Sequence, residues 1–247
     1  MLRIILECGA YELAETDDTP VGAIINEYVE LGRAFFDGGE PGLVNGVLDR
    51  LAGMAENHAQ TVMVGRTNRQ HALPITFGFK VAGWIEDMLH VVDQLDEVQP
   101  RLFQLRFGGA IGAYQSFGDA GPRLAALLGR RLNLAPALVP NRTGAAPLVE
   151  YVTKLATLGV AAGRIADELY LLMQEEIGEV SETLANGVVG SSTMPHKINP
   201  KLVVDLRARA NLLRGRGGAA LSVPTATHEG DAATNRELRL LPEETCP

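Results

Sequence analysis

The segment from Pro147 to about residue 177 constrains this chain most. Leu148, Val152, Leu155, Leu158, Ala162, Ile165, Leu169 and Leu172 recur there at steps of three and four. That spacing places them along one side of an α-helix. Pro147 suits a first helical position, where its missing N–H costs nothing. Some thirty residues at ~1.5 Å each make ~45 Å of helix. A helix this long needs long partners, which favours a helical bundle, one shared between subunits. Gly159, Gly163 and Ala166 keep one stripe of it small, so a neighbouring helix can approach closely.

The rest of the chain agrees with an all-α fold. Among 247 residues, 46% are hydrophobic and only 5% aromatic. The apolar content is therefore mostly Ala, Leu and Val, which suits helices better than a β-sandwich. Helices are expected over 21–37, 43–60, 75–106, 120–132 and 201–221. In 43–60, Val44, Val47, Leu48, Leu51 and Met54 share a side; in 75–106, Val81, Ile85, Met88, Val92 and Leu95 do. Pro100 should kink or divide the second of these. Residues 133–146 and 178–200 read as connections. No period-2 strand series stands out.

Bulk properties exclude some functions. The formal net charge of −8 argues against a general nucleic-acid binder, while leaving room for a small anionic ligand held by local cations. The two cysteines, Cys8 and Cys246, are too few for a disulfide framework, and a reducing cytoplasm is the simpler setting. No run reaches the ~18 apolar residues of a membrane span, and the N-terminus lacks a signal-peptide pattern. No spacing of Cys, His and Asp suggests a metal site, and no glycine loop has a phosphate-binding pattern. No cofactor is expected.

The chemistry concentrates in Gly190-Ser191-Ser192-Thr193-Met194-Pro195-His196-Lys197-Ile198-Asn199-Pro200. This segment is too polar and too proline-bounded for a core. Lys197 offers a compact charge to a carboxylate, and hydroxyls with Asn199 can orient it. A plain surface turn with a solvated lysine would look alike on composition alone.

The string resembles the signature loop of the fumarase/aspartase superfamily, GSS-x-x-P-x-K-x-N. The resemblance implies that Ser191 is the base that takes a proton from carbon beside a substrate carboxylate. It implies that Lys197 and Asn199 hold carboxylate, with Ser192 and Met194 as further loop contacts. Gly187 and Gly190 are candidate hinges of a closing loop. Upstream, Gly65-Arg66-Thr67-Asn68-Arg69-Gln70-His71-Ala72-Leu73-Pro74 resembles a second family region, which nominates Thr67, Asn68 and His71 as substrate ligands. A helix N-cap for Thr67 and Asn68, and a buried hydrogen-bonded histidine for His71, are the bland alternatives. Phe107 to Gly112, Leu171 to Val180, and His228-Glu229-Gly230-Asp231 resemble further family segments, so the likeness spans roughly residues 45–243.

Within the superfamily the chain is most similar to the carboxymuconate cycloisomerases, through Gln70-His71-Ala72-Leu73-Pro74, SSTMPHK and the GEV run. Asn68 stands where many relatives carry a histidine, and an amide does not titrate near neutral pH. A carboxylate leaving group needs little protonation, so lactone chemistry tolerates Asn68 better than fumarate release does. The resemblance thus implies a cycloisomerase acting on a small polycarboxylate, in a homotetramer. A fumarate-releasing lyase of the adenylosuccinate or argininosuccinate type is the second reading, and a non-catalytic relative the third. The third is motivated by a first family region that is not recognisable, Thr16-Asp17-Asp18-Thr19 being a poor match. Residues 1–42 are expected to be a shortened, divergent N-terminal segment, and 43–247 a central bundle without the usual C-terminal domain. Arg69 has no assigned role.

Overall fold

A computed structural model describes residues 40–183, 187, 190–194, 196–223 and 228–245. The helix expected over 21–37, the Thr16–Thr19 stretch and both cysteines lie outside these residues. In chain order the elements are α1 (Glu40–Asn57), β1 (Val62–Thr67), β2 (Gln70–Thr76), α2 (Phe77–Leu102), β3 (Gln104–Leu105), α3 (Gly121–Leu132), β4 (Ala135–Pro136), α4 (Ala146–Leu172), α5 (Lys201–Leu221) and α6 (Ala232–Thr245). Helix dominates, as expected. Residues 62–76 depart from the expectation, because they form a two-stranded hairpin.

The chain divides into two compact units. One holds the described residues up to Val62 together with Thr76–Ala82; the other holds Met63–Ile75 and the described residues from Gly83 onward. In the first, α1 ends in a turn that the start of α2 caps. The Phe77 N–H donates to the Thr61 carbonyl at 2.8 Å, and the Gly78 N–H to that of His58 at 2.9 Å. His58 meets the Phe77 ring edge-on, with centroids 5.3 Å apart. Val47 and Met54, expected on the apolar side of α1, stay exposed.

The second unit is built on three long helices, and its sequence spacing explains why they align. Asp87, Gln94 and Arg101 occur every seven residues along α2. Each meets a residue of α4 in reverse order. Arg164 pairs with Asp87, Thr157 donates to Gln94 at 3.2 Å, and Arg101 pairs with Glu150 at 2.5 and 2.9 Å. A seven-residue step returns to nearly the same helix face, so the two helices run antiparallel with a polar ladder between them. The buried stripe of α2 consists of Val81, Trp84, Val91 and Val98. It is rotated from the expected face: Ile85, Met88, Val92 and Leu95 flank it, half-buried. Pro100 does not divide α2; the helix continues two residues past it. A proline in the last turn removes only one hydrogen bond, near where the helix must stop in any case.

Helix α4 packs against α5, also antiparallel. The small stripe makes this possible. A β-carbon on Gly159 would lie 2.8 Å from the Ala210 carbonyl oxygen and 3.1 Å from the Arg214 backbone nitrogen, and one on Gly217 would lie 2.6 Å from the Ala156 β-carbon. The expected close neighbour is therefore α5 of the same chain. Gly163 and Ala166, also on the stripe, are buried. Helix α4 stops at Leu172, five residues before the expected end. At the opposite end of α4, Val152, Ala220 and Leu241 bury one another and join α4, α5 and α6. Asp231 caps α6, its Oδ1 accepting the N–H groups of Ala233 and Thr234 at 2.7 and 3.1 Å.

Between α2 and α4 the chain folds into a small lobe. Strands β3 and β4 pair in parallel, and the rings of Phe107 and Phe117 pack 4.9 Å apart. Gly112, at φ +76°, lies under the Pro140 carbonyl where no side chain would fit. Arg106 holds the Gly144 and Asn141 carbonyls, and Arg142 holds that of Ala110 at 2.5 Å.

A candidate active-site loop at the start of α5

The serine-bearing loop is closed on itself by its own polar groups. The Asn199 side-chain amide donates to the Gly190 carbonyl at 3.0 Å, across nine residues. The Lys197 N–H donates to the Met194 carbonyl at 3.1 Å, and the Lys201 N–H to that of Asn199 at 2.9 Å. Asn199 thus ties the two ends of the motif together. Gly190 is buried, Ser191 and Asn199 are half-buried, and Ser192, Met194 and Lys197 are exposed.

Ser191 sits where its hydroxyl oxygen meets backbone donors. Its Oγ accepts the Met194 N–H at 3.2 Å and approaches the Thr193 N–H at 3.4 Å. A serine bonded to amides two and three residues ahead is a common local turn. Its chemical consequence is specific. Donors aimed at the oxygen stabilise negative charge on it more than the neutral hydroxyl. An alkoxide formed there is better solvated than one on an isolated side chain.

The other nominated residues lie on the hairpin. Asn68 and Arg69 occupy its two-residue turn at φ 51° and 61°. Two consecutive left-handed residues match the type I′ turn that joins tightly twisted strands. This replaces the helix N-cap considered for Thr67 and Asn68: Thr67 ends β1, and Asn68 is a turn residue of a type that tolerates positive φ. His71, on β2, is exposed, so it is not a buried core histidine. Among the described residues, no hydrogen bond joins Thr67, Asn68 or His71 to Ser191 or Lys197.

Three residues outside the nominated set organise this region. Arg66, on β1, grips Glu179 with two parallel bonds of 2.8 and 2.9 Å. The bond to Glu179 raises the Arg66 pKa above its ordinary value. The Glu179 N–H in turn reaches the Leu172 carbonyl at the end of α4, at 3.0 Å. Glu182 accepts the N–H groups of Val203 and Leu202 at 2.8 and 3.2 Å. It thereby caps α5 from twenty residues upstream. Sequence reasoning missed all three. Arg66 and Glu179 stood inside quoted motifs, but Glu182 carried no local cue.

His228 and Glu229 lie in an exposed turn before α6, with His228 at φ 54°. Among the described residues, no three His, Cys, Asp or Glu side chains gather as a metal site, and no helix is long and apolar enough to cross a membrane.

These features define a class: an antiparallel helical bundle presenting, just before one long helix, a loop with a serine oxygen on backbone amides and an exposed lysine. Comparison with known proteins narrows it. The model of a family described as Lyase matches residues 43–211. A second model, the NusB family, matches residues 1–53, most of which lie outside the described residues. The 3-carboxy-cis,cis-muconate cycloisomerase of Pseudomonas aeruginosa is 36% identical over 89% of this chain and 51% of its own length. The N-acetyl-S-(2-succino)cysteine lyase of Dickeya dadantii is 35% identical over 77% of this chain and 42% of its own length. A crystal structure of the 3-carboxy-cis,cis-muconate lactonizing enzyme from Pseudomonas putida superposes with a TM-score of 0.74 at 32% identity, covering 90% of this chain and 48% of that one. The chain belongs to the lyase family of the fumarase/aspartase superfamily. It spans about half the length of the curated relatives it matches.

Proposed function

We propose that the chain carries the proton-transfer half of a carboxymuconate-type cycloisomerase site, with Ser191 as the base. The observation that supports this best is the Ser191 Oγ resting against the Met194 and Thr193 amides. Serine is a weak base until its alkoxide is stabilised. Two N–H donors supply part of that stabilisation, and a cation such as Lys197 near a bound carboxylate supplies more.

The reaction balances without a co-reactant. In the lactone-opening direction, Ser191 alkoxide takes the proton from carbon beside a carboxylate. The electron pair forms the carbon–carbon double bond, and the ring C–O bond breaks to release a carboxylate. In the closing direction that carboxylate adds to the double bond and Ser191 returns the proton. Lys197 and Asn199 would bind the carboxylate next to the reacting carbon, spreading the charge that builds there. Thr67, Asn68, His71, Ser192 and Met194 complete the substrate contacts. Asn68 suits a carboxylate leaving group, which departs without needing an acid.

The expected assembly is a homotetramer in the cytoplasm. Exposed Val160 on α4 and Leu202, Leu212 and Leu221 on α5 support association, because large apolar side chains along a bundle's long helices favour covering by other helices. The second reading, a fumarate-releasing lyase, draws on the similarity to an N-acetyl-S-(2-succino)cysteine lyase and to the adenylosuccinate lyase of Synechocystis, 36% identical over 78% of this chain.

The test is turnover of 3-carboxymuconate and its lactone by wild type and Ser191→Ala, beside a panel of succinyl substrates read by fumarate absorbance. Loss of lactone turnover in the variant is expected. Unchanged turnover would remove Ser191 from the mechanism. Fumarate release alone would favour the second reading, and turnover of neither class would favour a non-catalytic relative.

A further inference from the structure

Helix α5 begins without a cap of its own. Pro200 stands at the N-cap position and its side chain makes no capping bond. Helix starts leave N–H groups unpaired unless something outside accepts them. Glu182 does so with both carboxylate oxygens, at 2.8 Å to Val203 and 3.2 Å to Leu202. A carboxylate there also meets the positive end of the helix dipole. The chain therefore leaves the start of α5 at Glu182 and returns to it at Lys201. Asn199, two residues before Lys201, holds the Gly190 carbonyl at 3.0 Å, so the start of α5 is tied to the residue beside Ser191.

The same short segment is anchored on its other side. Three residues before Glu182, Glu179 is gripped by Arg66, whose side chain is one of a pair only 20% and 22% exposed. The loop's departing end is thus held to β1 and to α5 together, while Asn199 and Gly190 close the loop internally.

We infer that Glu182 is a positioning residue for Ser191: by capping α5 it fixes the helix start beside which Asn199 holds Gly190, and so sets where the serine oxygen stands. This rests on Ser191 being the base, but its physical core does not depend on which substrate is used. Misplacing a reacting group by ~1 Å costs ~100-fold in rate. A displaced α5 start would carry Asn199 and the Gly190 carbonyl it holds, and with them Ser191, by that much.

The experiment compares wild type, Glu182→Ala and Glu182→Gln by two readouts. The first is trypsin cleavage after the exposed Lys197, measured against cleavage after Arg209 within α5. In Glu182→Ala, cleavage after Lys197 should accelerate by about tenfold, the worth of one capping interaction, with a smaller change at Arg209. The second is steady-state turnover of 3-carboxymuconate. Glu182→Ala should lower kcat by ~100-fold with KM within about threefold, and Glu182→Gln, which keeps one acceptor oxygen, should recover most of it. Equal acceleration at both sites, no acceleration, or unchanged kcat would overturn the inference. If wild type turns over neither substrate class, the functional reading fails, while the cleavage ratio still decides whether Glu182 anchors the loop. If Glu182→Ala does not fold, the Gln variant is measured alone: a preserved wild-type cleavage ratio with a kcat within about tenfold of wild type supports the role, and a kcat loss as large as ~100-fold counts against it.

Discussion

Arg66 and Glu179, 113 residues apart, are joined by two parallel N–H···O bonds of 2.8 and 2.9 Å. This pair attaches the hairpin that bears Thr67 and Asn68 to the segment that leads into the serine loop. The guanidinium fork matches the carboxylate in a way an ammonium cannot. Arg66→Lys should therefore destabilise the fold by ~1 kcal/mol despite keeping the charge, the pair being partly exposed to solvent. Urea denaturation of the two proteins measures it, and equal midpoints would show that charge alone suffices.

The α4–α5 contact predicts opposite outcomes for two neighbouring glycines. Alanine is favoured over glycine in a helix by ~1 kcal/mol. At Gly163 the nearest atom to an added β-carbon is the Ala210 β-carbon at 3.6 Å, an ordinary contact, so Gly163→Ala should stabilise. At Gly159 backbone atoms stand at 2.8 and 3.1 Å, and the helices would have to part. Gly159→Ala should cost ~1–3 kcal/mol. Thermal unfolding of both variants checks the contrast, which fails if they shift in the same direction.

The hairpin turn separates a structural from a chemical role for Asn68. Glycine enters the left-handed region without strain, so Asn68→Gly should leave unfolding midpoints unchanged or slightly raised. If Asn68 also binds substrate, KM for 3-carboxymuconate rises in the same variant. Arg69 at φ 61° has less reason to be there: the left-handed conformation costs a non-glycine residue ~1–2 kcal/mol. Arg69→Gly should stabilise, and a lower melting temperature would refute the strain argument.

Glu150 provides a pH signature. The hydrogen bond from Arg101 holds its carboxyl below the ordinary glutamate range. Folding therefore favours the ionised form. The contribution is complete above the pH at which an unfolded glutamate is ionised, and it is lost as the pH falls through the lowered value. Wild type should exceed Glu150→Gln in urea midpoint by a constant margin near neutrality, and the margin should shrink in acid. A margin that widens on acidification would contradict the pairing.

Much of the architecture was legible because it is local. Pro147 and the apolar repeat behind it announced α4, and α5 runs over the span its periodicity predicted. Gly159 and Gly163 announced a close helix contact. The hairpin was not legible. Its strands alternate poorly, since Val62 and Leu73 stay exposed, and its turn is Asn-Arg where Asn-Gly would have signalled it. The buried stripe of α2 was placed on a neighbouring face, because Trp84 and Val91 compete with Ile85 and Val92 and only the packing chooses.

The sequence by itself determined the helical class, the long helices and the superfamily loop with Ser191 and Lys197. These depend on residues a few positions apart, where spacing and chemistry are read directly. Only the tertiary structure decided that α5 fills the small stripe of α4, that Arg66 reaches Glu179, and that Glu182 caps a helix twenty residues on. Each of those contacts forms because folded elements present matching faces or unpaired donors, and a linear pattern does not specify which distant group meets them.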